Sequence, residues 1–229
     1  MGTQQFLKNS IFASTNERSF ILKSNRMRFS IWQVLSRRLI PVAGICIAIT
    51  LAAYKPAADV SIDREEAQKA FLLINVMRQN PSAFSQELNV NLDTVQARPA
   101  LIWNDTLARV AEQRAMDMAT RQYFAHVDPD GYGVNYHMNQ AGYKLRKSCL
   151  KDPKQNTFES IEAGPHGGEA SVKALIIDKG HQATVGHRKH LLGMTKWDGS
   201  LVDIGVGYVV CHEGCKYKTY TSVVIGKHN

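Results

Sequence analysis

Six side chains beside turns hold most of the chemistry this chain offers. They are His126 in "YFAHVDPDGYG", Glu159 in "FESIEAG", Asp178 and His181 in "IIDKGHQ", and His187 and His190 in "GHRKHLLG". Imidazole and carboxylate serve general acid–base work, and they also hold borderline metal ions. Two imidazoles and one carboxylate suit zinc or a similar divalent ion with one position left open. Spacing alone does not assemble such a site, since His126, Glu159 and His187 lie far apart in the chain. For each histidine the ordinary alternative is a helix end or surface position satisfied by water. No HExxH helix, GxSxG elbow, Walker loop or GxGxxG turn occurs, so the common enzyme signatures are absent.

The elements that must position these groups are legible as periodicity. "SIDREEAQKAFLLINVMRQNP" places Asp63 three residues before Glu66, a capping-box-like start, and Asn80-Pro81 stops the helix. "PSAFSQEL" reads as a short second helical piece with Pro81 in its first turn. "WNDTLARVAEQRAMDMATRQYFAH" is the clearest helix, capped by Asn104 or Asp105. Leu107, Val110, Ala111, Met118 and Ala119 repeat at helical spacing, and Ala108, Ala111, Ala115 and Ala119 allow a close neighbour. Arg109, Glu112, Arg114 and Asp117 read as its solvated face. The segment 144–155 reads as an exposed basic loop, and "GEASVKALIIDKG" and "GHRKHLLG" as helical. "LVDIGVGYVV" and "KYKTYTSVVIG" alternate as strands, joined through "CHEGCK" as a hairpin. Helices first and strands last predict an α+β layer fold with an antiparallel sheet.

Of 229 residues, 44% are hydrophobic and 21% charged, which is globular rather than disordered. The net charge of +8 does not imply a nucleic-acid partner. Eight of the 28 Lys and Arg lie in residues 1–58 against one acid, so from Asp59 onward 20 bases face 19 acids. Residues 1–58 read as a targeting segment, with Met27 as a candidate start. Arg37 and Arg38 precede an apolar run over 39–53, short for a spanning helix and suited to a secretory signal. The chain is therefore expected to be secreted or periplasmic; the alternative is an anchor through residues 39–53, which would be its only membrane contact. Cys46 lies inside that run, in a poor lipobox. Cys211 and Cys215 bracket "HEG", where a disulfide closing the turn competes with a metal site that includes His212. Cys149 is then left over.

Several motifs, in order, resemble the CAP or SCP superfamily of cysteine-rich secretory, antigen 5 and pathogenesis-related proteins, in its prokaryotic form. The chain carries Asn75, Arg78, Pro81 and Phe84, then "LIWNDTLARVAEQRAMDMA", "FAHVDPDG", "ESIEAG", "GHRKHLL" and "DIGVGYV". The resemblance implies a three-layer α-β-α sandwich with a mainly antiparallel sheet over residues 62–227. It also implies a cleft holding a His/Glu tetrad. His126, Glu159 and His187 match three of the four; for the second glutamate Asp178 is the nearest acid, with Glu169 behind it. Ser160 and His190 stand where the family usually has asparagine.

By this resemblance the protein is an exported binding module. Its His/Glu cleft would hold a divalent metal such as zinc, through His126 and His187, or a small-molecule, lipid or envelope ligand. No catalytic residue is established. One alternative is a metal-assisted hydrolase acting on peptide or cell-envelope material, with Glu159 as base on bound water. Another is an adhesion module whose histidines are incidental.

Overall fold

The computed structural model describes residues 57–181 and 183–228, with His181 described by its backbone alone. The apolar run at 39–53 and Met27 lie outside the described residues. Eleven regular elements follow in chain order among the described residues. They are β1 (Asp59–Ile62), α1 (Arg64–Gln79), α2 (Ser85–Leu88), β2 (Ile102–Trp103), α3 (Asp105–Thr120) and α4 (Val134–Gln140). Then come β3 (Glu159–Ala163), α5 (Gly168–Ile177), α6 (Gly186–Leu192), β4 (Asp203–Glu213) and β5 (Thr219–Gly226), with short 3-10 turns between them. No helix among the described residues is long and apolar enough to cross a membrane.

The sheet runs β1-β4-β5-β3, every neighbouring pair antiparallel, and β2 adds a short parallel pairing to the start of β4. The first seven residues of β4 and every residue of β5 are buried. A sheet covered on both faces needs this, and the helices supply the cover. α3 lies on one face, so close that a Cβ at Gly205 or Gly207 would run into its backbone at Leu107–Ala108 and Ala111–Glu112. α1, α5 and α6 cover the other face, where Thr221 Oγ1 donates to Ser171 Oγ (3.0 Å) and Ser160 meets His190. The result is an α-β-α sandwich of the α+β class.

Local signals act largely as the residues dictate. Asp63 accepts from the backbone N–H of Glu65 and Glu66, and Asn104 accepts from Thr106 and Leu107. The box at Asp63 does not close, however. Glu66 turns away and accepts from the N–H of Gly168 (2.7 Å), tying α1 to the start of α5. Residues 144–155 are also more than an exposed loop: Lys147–Leu150 form a 3-10 turn, and Leu145 and Cys149 are buried. Cys211 and Cys215 are joined in a disulfide across the β4–β5 turn, so neither thiol is available to a metal.

Candidate functional site

The two ends of a single cleft are built by different means. α3 stops at Thr120, and Gln122 takes a left-handed φ of 61°, which turns the chain off the helix axis. The loop that follows is held by Asp128, whose carboxylate accepts from the N–H of Asp130 and Tyr132 (both 2.9 Å) and pairs with His137 Nε2 (2.8 Å). This fixes the Asp-Pro-Asp-Gly turn and, ahead of it, His126.

Glu159 opens β3 and is fully enclosed. Its Oε1 accepts from Arg114 Nε (3.1 Å) and Ser222 Oγ (3.0 Å), and its Oε2 from His126 Nδ1 (3.0 Å). Burial disfavours its ionised form, but the His126 hydrogen bond and the Arg114 charge outweigh it and hold the carboxyl below its ordinary range. With Nδ1 committed to Glu159, His126 offers its other nitrogen, Nε2, to a ligand.

Arg114 is the residue that sequence reasoning placed wrongly. It is 2% exposed rather than solvated. Its guanidinium also donates to Tyr123 Oη (2.7 Å) and to the carbonyls of Ala125 (2.9 Å) and His126 (3.0 Å). One side chain thus neutralises Glu159 and pins the loop carrying His126. The signal lay in helical phase: position 114 follows Leu107 by two turns and Val110 by one, so it falls on the buried stripe. Glu112 and Asp117 also have partners, Arg64 (2.7 Å) and Tyr123 Oη (2.6 Å).

The opposite wall is local. Asp178 ends α5 in a left-handed conformation and lies nine residues before His187, in the first turn of α6. Its carboxylate accepts from the His187 backbone N–H (3.1 Å) and pairs with His187 Nδ1 (2.9 Å). Asp178 therefore belongs to the site as the partner of His187, whereas Glu169 is exposed. Glu162, not foreseen from the sequence, lies within electrostatic reach of this pair. Burial raises its pKa above the ordinary value, with the Asp178 charge adding to the rise and His187 opposing it. Strand alternation would have found it, since Ser160 and Glu162 share the face opposite Glu159.

Ser160 and His190, the two departures from the family pattern, contact each other: Ser160 Oγ lies 2.8 Å from His190 Nδ1, both side chains buried. His190 Nε2 has no hydrogen-bond partner, and burial pushes its pKa down to about 4, so the ring is neutral. His126, Glu159, Ser160, His187 and His190 line one cleft of about 320 Å³, together with Asn156, Thr184 and Asp198. The backbone of His181 lies in a 3-10 turn between Asp178 and α6.

The chemistry of this arrangement is that of two carboxylate-oriented imidazoles. Such pairing fixes ring orientation and raises the basicity of the outward nitrogen, and it is the usual outer shell of a histidine metal ligand. The donors fit an ion only through the imidazoles, since both Glu159 oxygens are engaged. Among the described residues no group of three or more His, Cys, Asp or Glu side chains could hold a metal. The same engagement leaves Glu159 poorly placed as base on a cleft water; its observed work is positioning.

Residues 72–225, more than half the chain, match the model of the cysteine-rich secretory protein family, CAP. A search of curated proteins returned no match. Among solved structures, an extracellular SCP-domain protein from Bacillus anthracis is 23% identical with a TM-score of 0.46, over 72% of this chain and 41% of that one. An outer surface protein from Borrelia burgdorferi is 15% identical with a TM-score of 0.44, over 75% of this chain and 99% of that one. The chain thus spans well under half the length of the Bacillus protein.

Proposed function

We propose that this chain, which belongs to the cysteine-rich secretory protein (CAP) family, is an exported binding module whose cleft takes its ligand through His126 and His187. Export rests on the Arg37-Arg38 pair followed by an apolar run. The observation that carries the binding reading is that two imidazoles in one cleft each have Nδ1 held by a buried carboxylate, His126 by Glu159 and His187 by Asp178. That construction holds both rings in place before any ligand arrives, so little ordering remains to be done on binding.

A divalent ion such as zinc would be held by these two rings, and when bound it would polarise an oxygen of water or ligand completing its shell. Calorimetric titration of the full chain with zinc tests the reading. One ion should bind, His126→Ala and His187→Ala should each remove it, and affinity should fall as pH drops through the ordinary histidine range near ~6.5. Equal binding by the native chain and the double variant would overturn it. The hydrolase alternative has less support, because Glu159 is committed to Arg114, Ser222 and His126.

A further inference from the structure

Next to the cleft lies a second hollow of different chemistry. Phe158 immediately precedes Glu159 and Trp197 immediately precedes Asp198, yet both rings line a separate hollow of about 460 Å³ with Leu145 and Cys149. The two rings lie 5.9 Å apart, and Trp197 is 40% exposed while Phe158 is buried. This volume is in the small-ligand range of roughly 300–1,000 Å³.

The rim carries one sign of charge. Arg146, Lys196 and Lys227 line it, all three are exposed, and no carboxylate lines it. Among the described residues neither lysine forms an ion pair. The two acids that follow Lys196 in sequence have other partners: Asp198 accepts from Thr195 (2.6 Å), and Asp203 from Tyr143 and His228 (both 2.6 Å). None of the lining residues belongs to a strand, so a peptide backbone would find no ladder to join. An apolar floor with unpaired ammonium groups at its edge complements a small molecule with one apolar group and one anionic group.

We propose that this hollow binds an amphipathic organic anion, its aryl or acyl group against Phe158, Trp197 and Leu145 and its carboxylate between Lys196 and Lys227. Cys149, the one free thiol among the described residues, forms part of the floor and reports occupancy. The site does not depend on the histidine cleft.

The test uses the full chain and three probes: decanoate, decanol and 2-naphthoate. Binding is followed by calorimetry, and alkylation of Cys149 by peptide-mapped mass spectrometry. The carboxylates should bind with one site, slow Cys149 alkylation and exceed decanol in affinity by about tenfold, the worth of one or two partly exposed charge pairs. The stronger of the two acids identifies the occupant as acyl or aryl. In Lys196→Glu/Lys227→Glu, whose side chains are exposed, that preference should vanish while decanol binding is kept. His126→Ala/His187→Ala should leave all of this unchanged. Equal affinity of the native chain for decanoate and decanol would overturn the proposal, as would Cys149 alkylation that saturating carboxylate does not slow.

Discussion

The two histidines of the cleft receive the same treatment from opposite architectures. His126 is oriented from the core: its partner Glu159 sits 33 residues away, and that carboxylate is neutralised by Arg114 from a third element. His187 is oriented by its neighbourhood, through a carboxylate nine residues back that also accepts from its own backbone N–H. The first arrangement couples the site to the stability of the sandwich, since Arg114 and Glu159 are both buried. The second is a helix-to-helix junction that can be altered without unpacking the sheet. Function at one wall is therefore expected to be inseparable from folding, and at the other to be separable.

The largest effect should come from Arg114→Leu. Removing one partner of a buried pair leaves the other charge uncompensated, which costs about 3–5 kcal/mol. Denaturant unfolding should show that loss, with Glu159→Gln comparably damaging because it strands Arg114. A loss under about 1 kcal/mol for Arg114→Leu would mean that the core does not depend on this pair, and the contrast between the walls would collapse.

The next effect separates the walls by pH. His190, on the α6 side, has a pKa near 4 in the folded chain against about 6.5 when unfolded. Its contribution is thus fully present above pH ~6.5 and is lost as pH falls toward 4, because the unfolded chain takes up the proton first. The loss over that window is on the order of 3 kcal/mol. Glu159, whose pKa is lowered, behaves differently: its contribution is present above the ordinary carboxylate range near ~4.3 and is lost only as pH falls below it. Unfolding between pH 7.5 and 4.5 should therefore weaken the native chain markedly and His190→Asn much less. Parallel slopes for the two would place the acid sensitivity elsewhere.

These contrasts also bear on what the sequence could disclose. The caps at Asp63 and Asn104, the alternation of β4 and β5, and the alanine stripe of α3 are local patterns, and each forms its element. The membership of His126, Glu159 and His187 in one cleft followed from motif order, not from spacing. Arg114 was misplaced because charge was weighed above helical phase, and phase decides burial when a buried carboxylate awaits across the layer. Ser160 and His190 were legible as departures from a pattern, but their mutual contact joins β3 to α6 across 30 residues, which no window of sequence contains. Leu145 and Cys149 were masked by the lysines around them, whose charged ends reach water while the intervening residues turn inward.

The smallest stability effect should come from Asp178→Asn, and it sharpens the comparison most. Asparagine tolerates the left-handed conformation at this position, φ 54°, and can still accept from the His187 N–H. The carboxylate charge toward His187 Nδ1 is lost, and stability should fall by less than about 1 kcal/mol. Metal affinity should suffer far more, by roughly 10–100-fold, because an outer partner fixes the tautomer and basicity of the ligating ring. Zinc calorimetry beside denaturant unfolding reads both quantities on one variant. A large loss of affinity with the fold intact would establish that the α6 wall serves the ligand and the α3 wall serves the fold as well. If Asp178→Asn destabilised the chain as much as Arg114→Leu, the junction would be structural, and the two walls would differ in sequence distance alone.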